Sequence, residues 1–395
     1  MTVRPVSLWQ SFAWDMEKRR PGFVDSPWFT MNAVVELHGP VDTGRLAVAV
    51  DRLVRRHEVL RTEVTGDSQV VGARPGTGLE VLDEGEVEDW THAPVHRDVP
   101  VRLRVARTGP HTHVLALHLH HLIADPETLW ILLADLGLLY AEEMGGPPPP
   151  DPVGQFGEYT LAEAEVARRG RGTAEAWWDT MVGRSTFAGV AATDAGQAFA
   201  YREEVLTAAE FTRVERGCVA RRSTPMATLL SAVADGMARH VVDGDMFVFT
   251  TIFGKRDRPR WQRVAGPCMV PSYLTVPRTD DHRRVVDAVR GCSAHARFPA
   301  GEIRAMNHGV GSGIVPFFEY LPSRRPTGFD FGPVRGEVIT AAGPKDTGKA
   351  GELGIRLRKA DDGSLHGHFS ADGVGWSREA TRGLAGHVGA FVRAL

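Results

Sequence analysis

Cysteine is scarce in this chain, and its scarcity excludes two classes of protein. Among 395 residues there are three cysteines, Cys218, Cys268 and Cys292. They are odd in number, widely separated and lack the close pairs of a zinc site, so we expect neither a disulfide framework nor a cysteine metal centre. This usage is typical of a reducing compartment, and we expect a cytoplasmic protein.

Long hydrophobic runs and a strong net charge are missing too. No apolar stretch approaches the roughly 20 residues that cross a bilayer, and the opening MTVRPVSLWQ does not place a basic segment before an apolar one. We therefore expect no membrane span and no signal peptide. The formal net charge is -3, whereas nucleic-acid binding needs a concentrated positive field. We expect neither a membrane nor a nucleic acid as partner.

What is present suits a large globular protein with two lobes. The chain has 43% hydrophobic residues and nine tryptophans, and 395 residues exceed the size at which one core keeps growing. The segment GGPPPPDP (residues 145–152) cannot be a helix or a central strand. The composition loosens at GVAATDAGQ (residues 189–197). We place the boundary within residues 181–200 and assign residues 1–185 and 186–395 to the two lobes.

One stretch, VLALHLHHLIADPETLW (residues 114–130), organises the first lobe. Its alternating apolar residues predict a strand that ends near His121. A helix is predicted to follow at once, with Asp125 as its N-cap and Pro126 at its first position. The buried face of that helix is predicted to carry Leu129, Leu132, Leu133, Leu136 and Leu139. His120, His121 and Asp125 therefore lie where a strand meets a helix, with the backbone held from both sides.

The remaining elements follow from local periodicity and from turn residues. In the first lobe, helices are predicted over residues 42–55 and 159–183, and strands over residues 56–64, 70–82 and 99–106. In the second lobe, strands are predicted over residues 199–206 and 245–252, a helix from Ser223 or Thr224, a hairpin of residues 353–358 and 365–370, and a final helix over residues 379–395. This pattern predicts a mixed α/β (α+β) fold.

Several motifs resemble those of the condensation domains of nonribosomal peptide synthetases, which belong to the chloramphenicol-acetyltransferase-like superfamily. RHEVLRT (residues 56–62) resembles the early helix-to-strand motif of that family, and HHLIADP (residues 120–126) resembles its HHxxxDG active-site motif. QFGEYTLAEAE from Gln155, WWDTMVG from Trp177 and TIFGKRDRPRWQRVAGP (residues 251–267) resemble further family segments in the same order. The resemblance spans nearly the whole chain.

The resemblance implies a fold and a reaction. The expected architecture is two chloramphenicol-acetyltransferase-like lobes in a V-shaped pseudo-dimer around a central tunnel, with a bridging loop near residues 255–278. Carrier proteins are expected to bring an acyl thioester and an acceptor amine or hydroxyl on 4′-phosphopantetheine, and the product is an amide or an ester. No intrinsic cofactor and no metal are expected. Because no adenylation or carrier sequence is attached, we expect a free-standing enzyme of specialised metabolism, such as antibiotic biosynthesis.

Matched motif to motif, the resemblance implies that His121 is the catalytic histidine and His120 a supporting one. Acyl transfer passes through a tetrahedral intermediate, and a histidine can take the acceptor's proton because its ordinary pKa is near neutrality. Spacing alone would more often indicate a structural histidine pair, but the accompanying motifs favour catalysis. Asp125 is implied to be a structural anion and is also a good helix N-cap. We pair it with Arg61, which could equally be a solvated charge at a strand end.

Two positions depart from the family pattern. Pro126 stands where the family has glycine, and proline fixes φ and lacks an N–H, so we expect a narrower site or a different acceptor. After Gly266, the segment GPCMVPSY has Val270 or Pro271 where a polar asparagine is expected. Donor recognition or the bridging loop can therefore differ. We treat Pro126, Gly266 and Val270 as candidates for lining a substrate channel.

Other interpretations stay open beside this enzyme. The departures favour a catalytically inactive condensation-like module that recruits a carrier protein or partner enzyme, whereas the retention of His120 and His121 favours catalysis. An acyltransferase that uses a coenzyme A thioester differs in its donor, and epimerase relatives share the HHxxxDG motif. The basic segment, residues 255–263, holds five basic residues and one acidic residue. It is either a solvated loop or a docking site for an acidic carrier protein.

Overall fold

The chain forms two compact units in the computed structural model. The structure describes residues 1–72, 78–82, 94–152, 154–182, 198–239, 246–279, 281–306, 315–322, 326–339, 353–371 and 376–394. The first unit comprises Met1–Arg168, Gly254–Val270 and Pro326–Lys345; the second comprises Arg169–Phe253, Pro271–Arg325 and Asp346–Leu395. Two segments from the second half of the chain therefore belong to the first unit. The lobe boundary expected within residues 181–200 lies mostly outside the described residues and stays a prediction.

Runs of strands and runs of helices follow one another through the described residues. In order they are β1 (Thr2–Pro5), α1 (Leu8–Arg19), β2 (Thr30–His38), α2 (Thr43–Arg56), β3 (Thr62–Val64), β4 (Ser68–Val71), β5 (Leu79–Leu82), β6 (Val101–Gly109), β7 (Thr112–His120), α3 (Pro126–Glu143), α4 (Phe156–Val182), β8 (Phe199–Leu206), α5 (Ala208–Ala220), α6 (Pro225–Met237), β9 (Met246–Gly254), β10 (Met269–Pro277), α7 (His282–Ala294), α8 (Ala300–Met306), β11 (Phe317–Leu321), β12 (Gly328–Phe331), β13 (Val334–Ile339), β14 (Gly354–Lys359), β15 (Leu365–Ala371) and α9 (Arg378–Ala394). In these ranges no helix is long and apolar enough to cross a bilayer.

Within the described residues, each unit is built on a six-stranded sheet. In the first unit the strand order is β12-β13-β2-β7-β6-β5, with β5 and β6 parallel and the other neighbours antiparallel. A smaller sheet of order β1-β4-β3 accompanies it. In the second unit the order is β10-β9-β11-β14-β15-β8, where β11 is parallel to β9 and β14. The late strands β12 and β13 thus complete the sheet that contains β7.

The strand and helix around the histidines form as predicted. Strand β7 lies between β2 and β6, and its alternation places Leu115, Leu117 and Leu119 in the core of the first unit. Asp125 caps α3 by accepting a hydrogen bond from the Thr128 N–H at 2.9 Å. The five leucines predicted for the buried face of α3 all lie in that core. Local periodicity was sufficient here because strand, cap and helix follow one another directly in the sequence.

Most other predicted elements are confirmed, and one is divided. Helices α2, α4, α6 and α9, strands β8 and β9 and the β14–β15 hairpin lie where the sequence predicts them. Residues 70–82 do not form one strand. They contain the end of β4 and all of β5, which belong to two different sheets.

The RHEVLRT motif is not the strand that was predicted over residues 56–64. Glu58–Arg61 is a 3₁₀ turn, and only β3 after it is extended. Polar bonds explain the turn, because the Gln155 amide donates to the Arg56 carbonyl at 2.9 Å and accepts from the Glu58 N–H at 3.1 Å. The Glu58 carboxylate in turn accepts from the Gly157 N–H at 2.6 Å. The bonds to Gln155 use backbone groups of Arg56 and Glu58 that pairing with a neighbouring strand would need. The RHEVLRT motif and the segment that starts at Gln155 therefore bind each other.

Asp135 on α3 is a buried carboxylate that accepts hydrogen bonds from three side chains. His57 Nε2 and Arg56 Nε each donate to its Oδ2 at 2.9 Å, and Arg263 Nη2 donates to its Oδ1 at 2.9 Å. Burial raises the pKa of Asp135, but the hydrogen bonds and charges of His57 and Arg56 outweigh it and hold the pKa at about 2. Since Arg56 and His57 begin the RHEVLRT motif, this motif anchors the end of α2 to α3.

Replacing this carboxylate should destabilise the first unit. In Asp135→Asn the half-buried Arg56 guanidinium loses its counter-charge, and such a loss costs about 3 kcal/mol or more. Because the folded pKa of about 2 lies below the ordinary 3.8, the stabilisation is present above about pH 4 and is lost as the pH falls through about 2. Urea unfolding between pH 2 and 7 measures both effects.

Asp51→Asn, at an exposed aspartate on α2, is the matched control and should change the unfolding free energy by less than about 0.5 kcal/mol. Equal effects of the two substitutions would contradict the role given to Asp135.

Candidate active site

His120 is the last residue of β7 and is fully buried. Its Nε2 lies 2.8 Å from the Val24 carbonyl, and its Nδ1 accepts from the Leu122 N–H at 3.2 Å. A carbonyl only accepts, so the neutral ring carries its proton on Nε2. Burial lowers the pKa of His120 to about 4, although the bond to Val24 opposes that shift. At neutral pH this histidine is a fixed, uncharged support for the loop that follows.

His121 comes next and is partly buried. Its N–H donates to the Phe29 carbonyl at 2.7 Å, and its Nδ1 lies 2.7 Å from the Ala124 carbonyl. Nδ1 therefore carries a proton, and the lone pair of the neutral ring is on Nε2. The ring lies beside Trp9 and Phe29, at centroid distances of 4.5 and 5.8 Å. An imidazole with a fixed orientation and a defined basic nitrogen can act as a general base.

Asp125 is paired with Arg256, and the predicted pairing with Arg61 is wrong. Arg256 Nη1 donates to one carboxylate oxygen of Asp125, and Nη2 donates to the other at 2.9 Å. Arg61 lies just beyond α2, where its Nε and Nη2 donate to the carbonyls of Val54 and Arg55 at 2.9 and 3.3 Å. The last carbonyls of a helix have no partner within the helix, so Arg61 satisfies α2 instead of the active-site loop.

The Asp125–Arg256 pair belongs to a larger polar cluster that joins α3 to the segment around Gly266. The Thr128 hydroxyl lies 2.7 Å from Asp125 Oδ1 and accepts from the Gly266 N–H at 3.0 Å. The Cys268 N–H donates to Asp125 Oδ2 at 3.1 Å, and Arg256 Nη2 donates to the Gly266 carbonyl at 2.9 Å. Burial alone lowers the pKa of Arg256, but the charge of Asp125 raises it above the ordinary value, so the guanidinium stays charged.

The three candidates for a substrate channel occupy ordered positions. Pro126 is the first residue of α3, where no N–H is required, and Asp125 before it is extended (φ -124°, ψ 175°), as a residue preceding proline prefers. Gly266 has φ +144°, and a Cβ there would lie 2.3 Å from the Phe156 ring, so only glycine fits. Val270 is fully buried in β10. That these residues line a channel stays a prediction.

Sequence reasoning missed Trp9 and Gln10, which lie in the first turn of α1. Trp9 Nε1 donates to the carbonyl of His121 at 2.7 Å, and Gln10 Nε2 donates to the carbonyl of Leu122 at 2.9 Å. Ser7 and Gln10 form a capping box that identifies the start of α1. That local signal cannot reveal a contact across 112 residues of sequence.

The basic segment, residues 255–263, is not a uniformly solvated loop. Lys255 is buried, Arg256 binds Asp125, and Arg263 donates to a buried carboxylate on α3. Arg258 and Arg260 remain exposed, and the guanidinium of Arg260 lies over the Trp261 ring at 4.1 Å. Two of the five basic side chains in this stretch therefore form ion pairs within the first unit.

A metal centre has no support in the described ranges. Among those residues, no group of three or more His, Cys, Asp or Glu side chains could hold a metal ion. The expectation that neither metal nor intrinsic cofactor is needed stays a prediction.

Comparison with known proteins identifies the family. A family model of the condensation domain matches residues 3–308. The chain belongs to the condensation-domain family. The probable non-canonical nonribosomal peptide synthetase CymA of Salinispora arenicola is 33% identical over an alignment of 181 residues that covers 41% of this chain and 2% of CymA. The beauvericin nonribosomal cyclodepsipeptide synthetase of Beauveria bassiana is 25% identical over an alignment of 335 residues that covers 74% of this chain and 10% of that protein. This condensation domain thus spans a small part of the length of its curated relatives.

Solved structures confirm the fold. The SgcC5 protein of Streptomyces globisporus matches with a TM-score of 0.77 and 18% identity, covering 99% of this chain and 98% of SgcC5. The condensation domain of the monacolin K polyketide synthase MokA matches with a TM-score of 0.74 and 17% identity, covering 100% of this chain and 97% of that one. The mixed α/β, chloramphenicol-acetyltransferase-like fold implied by the sequence motifs is therefore confirmed.

The corrected ion pair can be tested by double-mutant cycles. Asp125→Ala leaves the half-buried charge of Arg256 without its partner, and Arg256→Met leaves the buried charge of Asp125 without its partner. Each should therefore cost about 3 to 5 kcal/mol of unfolding free energy. The double variant should lose about 2 to 3 kcal/mol less than the sum of the two single losses. Urea unfolding of all four proteins measures this coupling.

The cycle between Asp125→Ala and Arg61→Met is the control. Its two losses should add to within about 0.5 kcal/mol, since the side chains share no contact. Coupling to Arg61 together with additivity at Arg256 would restore the original pairing.

Proposed function

We propose that this condensation domain transfers an acyl group from a carrier-bound thioester to an amine or hydroxyl acceptor, and so forms an amide or ester in nonribosomal peptide or related biosynthesis. The proposal is supported mainly by the hydrogen bond of His121. Its Nδ1–H donates to the Ala124 carbonyl, so the basic lone pair of the neutral ring lies on Nε2. Membership in the condensation-domain family supports acyl transfer as the reaction class.

In the proposed reaction His121 handles one proton. The acceptor nitrogen or oxygen attacks the thioester carbonyl, and its proton passes to Nε2 of His121 as the tetrahedral intermediate forms. The C–S bond then breaks, and the proton goes to the departing sulfur to give the free thiol of the carrier. While the ring is protonated, its Nδ1–H bond to Ala124 becomes charge-assisted and stronger. A hydroxyl acceptor requires this base, whereas for a neutral amine His121 mainly orients the nucleophile.

Both substrates are proposed to arrive on the 4′-phosphopantetheine of carrier proteins. Carrier proteins are usually acidic, and the exposed guanidinium groups of Arg258 and Arg260 can attract them. Arg256 and Arg263 of the same basic segment are bound within the first unit. The docking proposal therefore rests on two side chains.

A second candidate is a module that recruits a partner and performs no chemistry. Pro126 at the family's glycine position favours it, because proline leaves less space and one fewer N–H beside the histidine loop. A protein of similar fold, the X-domain from teicoplanin biosynthesis, is known in complex with OxyB, with a TM-score of 0.75 and 18% identity over 99% of this chain and 93% of that one. A coenzyme A thioester as donor is a third possibility that differs in substrate.

One assay separates these functions. The protein is incubated with an acyl-loaded carrier or an acyl-coenzyme A and with amine and hydroxyl acceptors, and products and intact carrier are measured by mass spectrometry. Turnover by His121→Ala should fall by about 100-fold or more, because the proton acceptor is lost. His111→Ala, at an exposed histidine between β6 and β7, should keep wild-type turnover.

Each outcome of that assay has one interpretation. Equal turnover by His121→Ala and wild type would refute the role of His121. Carrier binding without product in any wild-type reaction would select the recruiting module, and product only from the coenzyme A thioester would change the donor.

Carrier docking is tested by charge reversal. Arg258→Glu combined with Arg260→Glu should weaken binding of an acidic carrier about tenfold at low salt, and the difference should shrink at high salt because exposed charges are screened. Arg335→Glu, at an exposed arginine on β13 of the same unit, serves as control. Calorimetry measures the affinity for the carrier. An equal affinity in the Arg258→Glu/Arg260→Glu variant and in the Arg335→Glu control would exclude Arg258 and Arg260 as a docking surface.

A further inference from the structure

We propose that Trp9 is a positioning residue for His121, a role that rests on the proposed acyl transfer. Trp9 touches His121 in two ways. Its indole Nε1 donates to the His121 carbonyl at 2.7 Å, and its ring lies against the imidazole at a centroid distance of 4.5 Å with an interplanar angle of 43°. One side chain therefore constrains both the backbone and the ring of the proposed general base.

The backbone at this point is held from several directions. The His121 N–H donates to Phe29 at 2.7 Å, and Gln10, next to Trp9 on α1, donates to the carbonyl of Leu122 at 2.9 Å. The indole N–H is only a donor, and Trp9 is 5% exposed, so its bond to a carbonyl replaces a bond to water that burial has removed. Loss of this bond would leave the His121 carbonyl with one fewer fixed partner.

Trp9 can fix another residue because its own position is fixed. Ser7 Oγ accepts from the Gln10 N–H at 3.2 Å, and Gln10 Oε1 accepts from the Ser7 N–H at 2.9 Å. The Leu8 N–H donates to Glu163, a buried carboxylate on α4, at 2.8 Å. The first turn of α1 is therefore bound to a second helix of the same unit, and Trp9 lies in that turn.

The contact has a chemical consequence for acyl transfer. The indole ring limits rotation of the imidazole, so Nε2 keeps one direction during the reaction. The face of an aromatic ring also attracts a cation, so Trp9 favours the imidazolium that forms when His121 takes the acceptor's proton. Both effects act on the transition state more than on substrate binding. They should therefore appear in kcat rather than in KM.

Two substitutions separate the hydrogen bond of Trp9 from its ring contact with His121. Trp9→Phe keeps an aromatic ring and removes the N–H, whereas Trp9→Leu removes both. We expect kcat to fall about 10-fold in Trp9→Phe and about 100-fold in Trp9→Leu, with KM for carrier and acceptor unchanged within about twofold. Trp14→Phe is the matched control, since Trp14 lies on the same helix with Arg97 over its ring at 5.6 Å, and it should keep wild-type kcat.

A second readout does not depend on turnover. Diethyl pyrocarbonate modifies an imidazole nitrogen, and peptide mass spectrometry follows the reaction at His121 alone. Because the indole shields and orients the ring, we expect the modification rate at His121 to rise about threefold or more in Trp9→Leu and to stay unchanged in Trp14→Phe.

The two readouts separate failure of the inference from failure of the proposed function. If wild type makes no product from any substrate pair, the proposed function fails, and the modification rates then decide whether Trp9 positions the ring. If wild type is active, a wild-type kcat in both Trp9 variants, or a loss of kcat that Trp14→Phe shares, overturns the inference. A loss confined to the Trp9 variants, graded from Phe to Leu, supports it.

Discussion

The site depends on the bidentate ion pair between Asp125 and Arg256. The pair joins residues 131 positions apart in the sequence, and it does so at the N-cap of α3. Asp125 has no spare oxygen there, because the same carboxylate receives the N–H groups of Thr128 and Cys268. The start of the helix is thereby fixed in place. The short loop from His121 to Asp125 can then hold the imidazole against the Ala124 carbonyl.

The two histidines have different roles in this arrangement. His120 is neutral, and both of its ring nitrogens are hydrogen-bonded to backbone groups. It therefore supports the loop that follows β7. His121 uses one nitrogen for its anchor, which leaves Nε2 as the basic one. The RHEVLRT motif has a structural part as well, since Arg56 and His57 bind the buried carboxylate of Asp135 on the same helix. These family motifs therefore support helix α3 and the loop before it.

Local features could be predicted from the sequence and long-range side-chain pairs could not. The strand before His121, the cap at Asp125 and the leucine face of α3 follow from residues close together, and the confirmed family and fold rest on motifs of the same kind. Arg61 and Arg256 are chemically identical, so no local rule selects between them as partners of Asp125. Trp9 lies 112 positions from His121, and nothing in its neighbours marks that contact. Pro126 lies at the first position of α3, as its sequence context predicted, and the expectation that it narrows the site stays a prediction.

The ring of His121 is held with its proton on Nδ1 and its lone pair on Nε2. The most direct measurement is ¹⁵N NMR of histidine-labelled protein, with the ring signals of His120 and His121 assigned from His120→Gln and His121→Gln. We expect a protonated Nδ1 and an unprotonated Nε2 for neutral His121, and the opposite tautomer for His120. A His121 ring that carries its proton on Nε2 would contradict this expectation, because no base would then face the acceptor.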